Sequence, residues 1–132
     1  MRVLITGGMG VIGAEASRKF VREGHRPIIF ARHRDESLIR DILDKVDIEL
    51  GSILDRTRLA EVVKAHGVTH IVHTAAYVGA MSAAHPAESV EINVMGTVNV
   101  LEAARAASST LTVPMTLIST LSAGCLADSA LM

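Results

Sequence analysis

The sequence predicts an α/β fold: a doubly wound parallel sheet of about five strands, in one domain spanning residues 1–132. Three observations carry this. Short aliphatic runs alternate with amphipathic stretches, and turn residues separate them. The composition is 49% hydrophobic but only 2% aromatic, so the core is built from Val, Ile and Leu, as in strands buried on both faces. A chain of 132 residues lies close to the usual size of a single domain, about 150 residues. With 20% charged residues against 49% hydrophobic ones, an intrinsically disordered chain is excluded.

The elements follow in order. Strand runs are expected at residues 3–6, 27–31, 46–50, 70–74 and 115–120. Between the first two, residues 10–23 place Ala16, Phe20 and Val21 on one helical face. Leu38, Ile39, Ile42 and Leu43 suggest a second helix. Asp55 is suited to cap a third, which would bury Leu59, Val62 and Val63. Pro86 fits the first position of a fourth, running to about residue 107. Strand–helix alternation with right-handed crossovers then places helices on both faces of the sheet.

Charge and cysteine content narrow the function classes. Thirteen basic residues against fourteen acidic ones give a net charge of −1, which offers nothing to draw nucleic acid or an anionic membrane. A single cysteine, Cys125, excludes a disulfide framework and fits a reducing, cytoplasmic setting. The N-terminus opens as a strand and not as a targeting segment. The uncharged stretch 106–127 contains Pro114 and eight Ser or Thr residues, so it is expected to form a helix end, a loop and a strand, with no membrane span. His70 and His73 lie three apart on a strand and point to opposite faces, so no shared metal is expected. No G-x-S-x-G elbow occurs, and no Lys follows the glycines as in a triphosphatase loop. The methionines Met9, Met81, Met95 and Met115 are expected as core fillers.

The strongest chemical signal is the first strand-to-helix turn, "VLITGGMGVIGAEAS". Gly8, Gly10 and Gly13 fit G-x-G-x-x-G, while Gly7, Gly10 and Gly13 fit G-x-x-G-x-x-G. Glycines here permit a tight turn and close approach of backbone to a pyrophosphate, and the following helix offers its positive end and first-turn N–H groups. Position matters more than the motif: the loop follows a strand, opens a helix and begins a βαβ unit. Dinucleotide binding is therefore expected.

"TGGMGVIG" resembles the nucleotide loop of the extended short-chain dehydrogenase/reductases, the family of NAD(P)-dependent sugar-nucleotide epimerases and dehydratases. "IVHTAAYVG", "NVMGTVNVLEAARA" and "MTLIST" resemble that family's fourth strand, the helix after it and its fifth strand, in order and spacing. The resemblance covers nearly all of the chain to about Thr120 and implies a Rossmann fold whose sheet and substrate region continue further in the family. It also implies cofactor roles. Gly7, Gly10 and Gly13 would form the loop, with the amides of Val11 and Ile12 facing the pyrophosphate. Ser52 stands where the family has an adenine-contacting acid, and Ile53 would cover the ring. Ala75 and Ala76 would line the cofactor near the ribose and nicotinamide, and Asn93 would brace the active-site strand.

A 2′-hydroxyl is usually held by an acid at the end of the second strand, whereas a 2′-phosphate calls for an arginine. In "PIIFARHRDE" the acid position is Ala31, followed by Arg32 and Arg34, so NADP is expected over NAD. Thr120 takes the family's catalytic hydroxyl position, with Ser119 and Ser122 as alternatives. The acid/base is the gap: Tyr77 is the one tyrosine, Met81 lies four residues on, and the last lysine is Lys64, so no Tyr-x-x-x-Lys occurs. The sequence thus reads as the cofactor half of a hydride-transferring enzyme acting on a sugar nucleotide or related hydroxyl substrate. It is expected to bind nicotinamide dinucleotide and to turn over poorly or not at all. A non-catalytic NADP-binding sensor or interaction module is the alternative. Val90, Val94, Val98 and Leu101 lie on the helix that the family uses in its two-fold interface, so a homodimer is expected.

Overall fold

The computed structural model describes residues 1–112. Five parallel strands form one sheet in the order β3-β2-β1-β4-β5: β1 (Val3–Thr6), β2 (Ile28–Ala31), β3 (Asp47–Leu50), β4 (His70–His73) and β5 (Thr110–Thr112). The order reverses at β1, whose neighbours are β2 and β4, with Ile5 opposite both Ile29 and Val72. This is the doubly wound arrangement expected, with its switch point between β1 and β4. The fifth strand begins ahead of the expected run 115–120, which lies outside the described residues.

Both faces of the sheet are covered, and its central strands β1 and β2 are apolar on both. Leu4, Ile28, Phe30 and Ile71 pack against Leu59, Val62 and Val63 of α2 (Arg56–Ala65) and against Val100, Ala103 and Ala104 of α5 (Gly96–Ala106). On the opposite face, Ile29 and Ala31 pack against Met9, Ala14 of α1 (Val11–Arg22), Ile39, Ile42 and Val46. The alternation of Ile28 and Phe30 with Ile29 and Ala31 is the period-two pleat of a strand sorting neighbours to two cores. At the edge, β3 carries Asp47 and Glu49, charges that disfavour pairing with a further strand. Glu49 holds His66 (2.7 Å), and Arg26 holds Asp47 (2.7 Å).

Local expectations were met unevenly. Asp55 caps α2 as expected, its carboxylate accepting from the Arg58 N–H at 2.9 Å. On α1 the buried row is Gly13, Ala14 and Ser17, while Ala16, Phe20 and Val21 are only half-buried. Ser17 is tolerated there because its hydroxyl donates to the Gly13 carbonyl at 2.8 Å. The expected helix around Leu38 and Leu43 is instead a short 3-10 helix, Arg40–Lys45. Ile39 and Ile42 are buried in the core, Leu43 packs against it half-buried, and Leu38 stays exposed. A short helix, α3 (Gly79–Ala84), precedes α4 (Pro86–Val90) and was not expected, since its small residues bury none of their number.

The long fourth helix occupies its expected span but is not regular. Between α4 and α5, Glu91–Met95 forms a π turn, closed by the Gly96 N–H reaching the Glu91 carbonyl. The row that faces the sheet runs Ile92, Gly96, Val100 and Ala103, so Val90, Val94, Val98 and Leu101 are all left exposed. Met81 and Met95 are also exposed, against the expectation that they fill the core, whereas Met9 is buried. No helix of the described residues is long and apolar enough to cross a membrane.

Candidate dinucleotide site

Parallel strands deliver the loops after their carboxyl ends to one side of the sheet, and the switch point opens a crevice among them. A cleft open to solvent lies there, at the place where such folds bind ligands. Its lining comes from the end of β2 and from the four loops after β1 to β4: Gly7, Met9 and Gly10; Phe30, Ala31 and Arg32; Gly51, Ser52 and Ile53; Ala75, Ala76 and Tyr77. Ile92 closes one side from the π turn. The structure therefore brings together Gly7, Gly10, Arg32, Ser52, Ile53, Ala75 and Ala76. Thr120 lies outside the described residues.

The loop after β1 is shaped by steric exclusion. Gly7 has φ of +68°, and a Cβ there would meet the Ala75 backbone nitrogen at 2.7 Å. A side chain at this position would be strained and would also clash with the chain leaving β4. The Gly7 N–H donates to the Phe30 carbonyl at 2.9 Å, and the Gly10 N–H donates back to the Gly7 carbonyl at 3.0 Å. At Gly13 a Cβ would fall on Gly7 and 2.6 Å from the Gly8 Cα, so glycine there lets α1 pack directly on the loop. Gly10 caps α1 without a side-chain hydrogen bond. The N–H groups of Val11 and Ile12 begin the helix, and both side chains are exposed; neither these two residues nor Gly13 is among the residues lining the cleft.

The walls are set by equally specific contacts. Ser52 accepts from the Leu54 N–H at 3.1 Å, which leaves its hydroxyl proton to donate. Ile53 is buried beneath Gly96, where any Cβ would strike it. The segment after β4 is pinned by Asn93, which accepts from the Tyr77 N–H and donates to the Tyr77 carbonyl, both at 2.8 Å. Asn93 was expected to brace a strand and instead clamps the Tyr77 backbone in the loop after β4, held there by the π turn.

Beneath that segment lies a buried histidine network. Thr97 donates its hydroxyl proton to the Asn93 carbonyl at 2.6 Å, so its oxygen accepts from His73 Nε2 at 3.1 Å. His73 Nδ1 is then the acceptor for the Thr6 hydroxyl at 2.6 Å, which fixes the Nε2–H tautomer. Burial pushes the His73 pKa down to about 4, so the ring is neutral at pH 7.

Charge at the cleft mouth differs from a bare arginine pair. Ala31 ends β2 without a carboxylate, as read from the sequence. Arg32, however, donates to Glu88 Oε1 at 3.3 Å, and Arg34 is paired with Glu36. Tyr77 also donates to Glu88 Oε1, at 2.8 Å. Glu88 was missed in the sequence because nothing in its local pattern places it beside a residue 56 positions earlier. Phe30 and Ile92 were also missed as lining residues, since aliphatic and aromatic core positions carry no mark of a cleft.

Comparison with known proteins agrees with this geometry. Residues 3–127 match the NAD dependent epimerase/dehydratase family. The chain belongs to that family. Its relatives include a UDP-glucose 4-epimerase of Rhizobium leguminosarum bv. trifolii, 36% identical over 106 residues, which covers 80% of this chain and 32% of that protein. Among solved structures, UDP-glucose 4-epimerase from Brucella ovis in complex with NAD superposes with a TM-score of 0.72 at 30% identity, over 85% of this chain and 34% of that one. L-threonine dehydrogenase from Clostridium difficile gives a TM-score of 0.77 at 27% identity, over 85% of this chain and 35% of that one. The chain thus spans about a third of the length of these relatives.

Proposed function

We propose that the chain is the nicotinamide-dinucleotide-binding part of an NAD(P)-dependent epimerase, dehydratase or reductase acting on a sugar nucleotide. The observation that carries the reading is the cleft at the switch point, with a glycine loop on one side and a helix N-terminus that no side chain caps beside it. Glycine keeps that loop tight against the helix and the chain leaving β4, since a Cβ at Gly7 or Gly13 would meet the protein's own backbone within 3 Å. Gly7, Gly10, Gly13 and the amides of Val11 and Ile12 would hold the phosphates. Ser52 and Ile53 would take the adenine, with Ala75 and Ala76 beside the ribose and nicotinamide. The bound cofactor supplies hydride chemistry, and the protein supplies its orientation. The sugar-nucleotide class is supported by relatives described as UDP-glucose 4-epimerases. Proton transfer in such a reaction requires a tuned acid/base, for which Thr120 is the proposed hydroxyl partner.

NADP is proposed over NAD because no carboxylate ends β2 and Arg32 lines the cleft. Calorimetric titration of the purified chain with each dinucleotide tests both levels of the reading. Saturable binding of either supports the site, and tighter binding of NADP supports the preference. NAD binding as tightly as NADP would remove the preference, and binding of neither would remove the site.

A homodimer is proposed on the exposed apolar row Val90, Val94, Val98 and Leu101, with Val90 62% exposed. Such a row on a soluble helix marks an interaction surface. Light scattering should give a dimer mass at micromolar concentration and a monomer mass for Val94→Lys. A clean monomer for the unsubstituted chain would contradict the proposal.

A further inference from the structure

We infer that Glu88 is a specificity-determining residue of the cleft: it holds the Arg32 guanidinium as a neutralised pair at the mouth and so limits how strongly a 2′-phosphate is favoured over a 2′-hydroxyl. This rests on the dinucleotide reading above. Arg32 follows β2 directly, at the place where the fold meets the adenosine ribose. Its Nη1 lies 3.3 Å from Glu88 Oε1, and its guanidinium carbon sits 5.3 Å from the centre of the Tyr77 ring. Tyr77 donates to the same carboxylate oxygen at 2.8 Å, and the Tyr77 backbone is itself clamped from both sides by Asn93. The guanidinium is thereby positioned from α4 and from the loop after β4, not from its own strand.

The consequence follows from charge. The Tyr77 hydroxyl, then Arg32, hold the Glu88 carboxyl below its ordinary range, so it is ionised at neutral pH. A 2′-phosphate drawn to Arg32 arrives carrying about two negative charges and meets Glu88 as a repelling neighbour. A 2′-hydroxyl meets no such repulsion, and Glu88 Oε2 has no hydrogen bond among the described residues with which to compete for it. Side chains on both sides of the pair are partly exposed, 43% and 44%, so the pair yields to a stronger ligand and does not bar one outright. Removing the carboxylate charge therefore moves the balance toward the phosphate.

The test is a double-mutant cycle read as the ratio of dissociation constants for NAD and NADP, measured by calorimetry on the full chain. The forms compared are wild type, Glu88→Gln, Arg32→Met and the double variant, with circular dichroism establishing that each is folded. Glu88→Gln is expected to move the ratio toward NADP by about five- to tenfold, the scale of a partly screened charge pair. In the Arg32→Met background the shift is expected to shrink, because only the direct repulsion by Glu88 remains. A ratio that does not move, or that moves toward NAD, overturns the inference. So does a shift of undiminished size without Arg32. Binding of neither dinucleotide to the wild type overturns the reading on which the inference stands, whereas equal wild-type affinities with a shifted ratio remove only the NADP preference.

Discussion

Gly13→Ala is expected to abolish detectable dinucleotide binding and to lower stability by about 1–3 kcal/mol, the usual cost of overpacking a filled site. Alanine is the better helix former by about 1 kcal/mol, so propensity alone would make this substitution stabilising in α1. The clash decides the sign, because the added methyl meets Gly8 Cα at 2.6 Å and the Gly7 backbone, and none of these is the end of a flexible side chain. Relief requires α1 to move off the loop, which pulls the first-turn N–H groups away from the cleft. Gly10→Ala is the matched comparison. Its added Cβ meets only the Gly7 carbonyl oxygen, at 3.3 Å, and its φ of −78° suits alanine, so the fold is retained. Thermal denaturation with titration of each variant measures both effects. A Gly13→Ala chain as stable and as competent as the wild type would show that α1 does not rest on the loop as described.

Stability should fall by about 3 kcal/mol as the pH drops from 6.5 to 4, because burial holds the His73 pKa at about 4 in the folded chain while the unfolded chain titrates near its ordinary 6.5. Within that window the unfolded state binds a proton that the folded state does not, so each step down in pH favours unfolding. Above 6.5 the contribution is fully present. Protonation also removes the Nδ1 lone pair that accepts from Thr6, a residue with no exposure at all. His73→Gln should flatten this part of the pH profile and lower stability at neutral pH, since Thr6 then loses its partner inside the core at a cost of about 1–3 kcal/mol. Chemical denaturation across the window is the measurement. A His73→Gln profile parallel to that of the wild type would assign the acid sensitivity to other groups.

These two residues also show what was legible in the sequence. The glycine loop could be read because its spacing, preceding strand and following helix all express one geometric demand. The central strands β1 and β2 could be read because parallel strands buried on both faces are near-continuous apolar runs, as in Val3–Thr6 and Ile28–Ala31. The segment around Leu38 was misread because Ile39 and Ile42 satisfy helical spacing equally well in a single 3-10 turn. The π turn at Glu91–Met95 left the apolar pattern of its helix intact, so periodicity did not reveal it, although it delivers Asn93 to the Tyr77 backbone. The sequence placed His73 on a strand face but not in a network, because its Thr6 and Thr97 partners come from positions 67 and 24 residues away. Glu88 illustrates the same limit: a contact across 56 residues is a property of the fold, not of a motif.

The most direct test of the account is to locate the dinucleotide by amide chemical-shift mapping on the isotopically labelled chain. Saturable shifts are predicted at Gly10, Val11, Ile12 and Gly13, at Ser52 and Ile53, and at Ala75, Ala76 and Tyr77, the loops that meet at the carboxyl ends of β1, β3 and β4. Saturable shifts confined to the opposite ends of the strands, or none in the glycine loop, would contradict it.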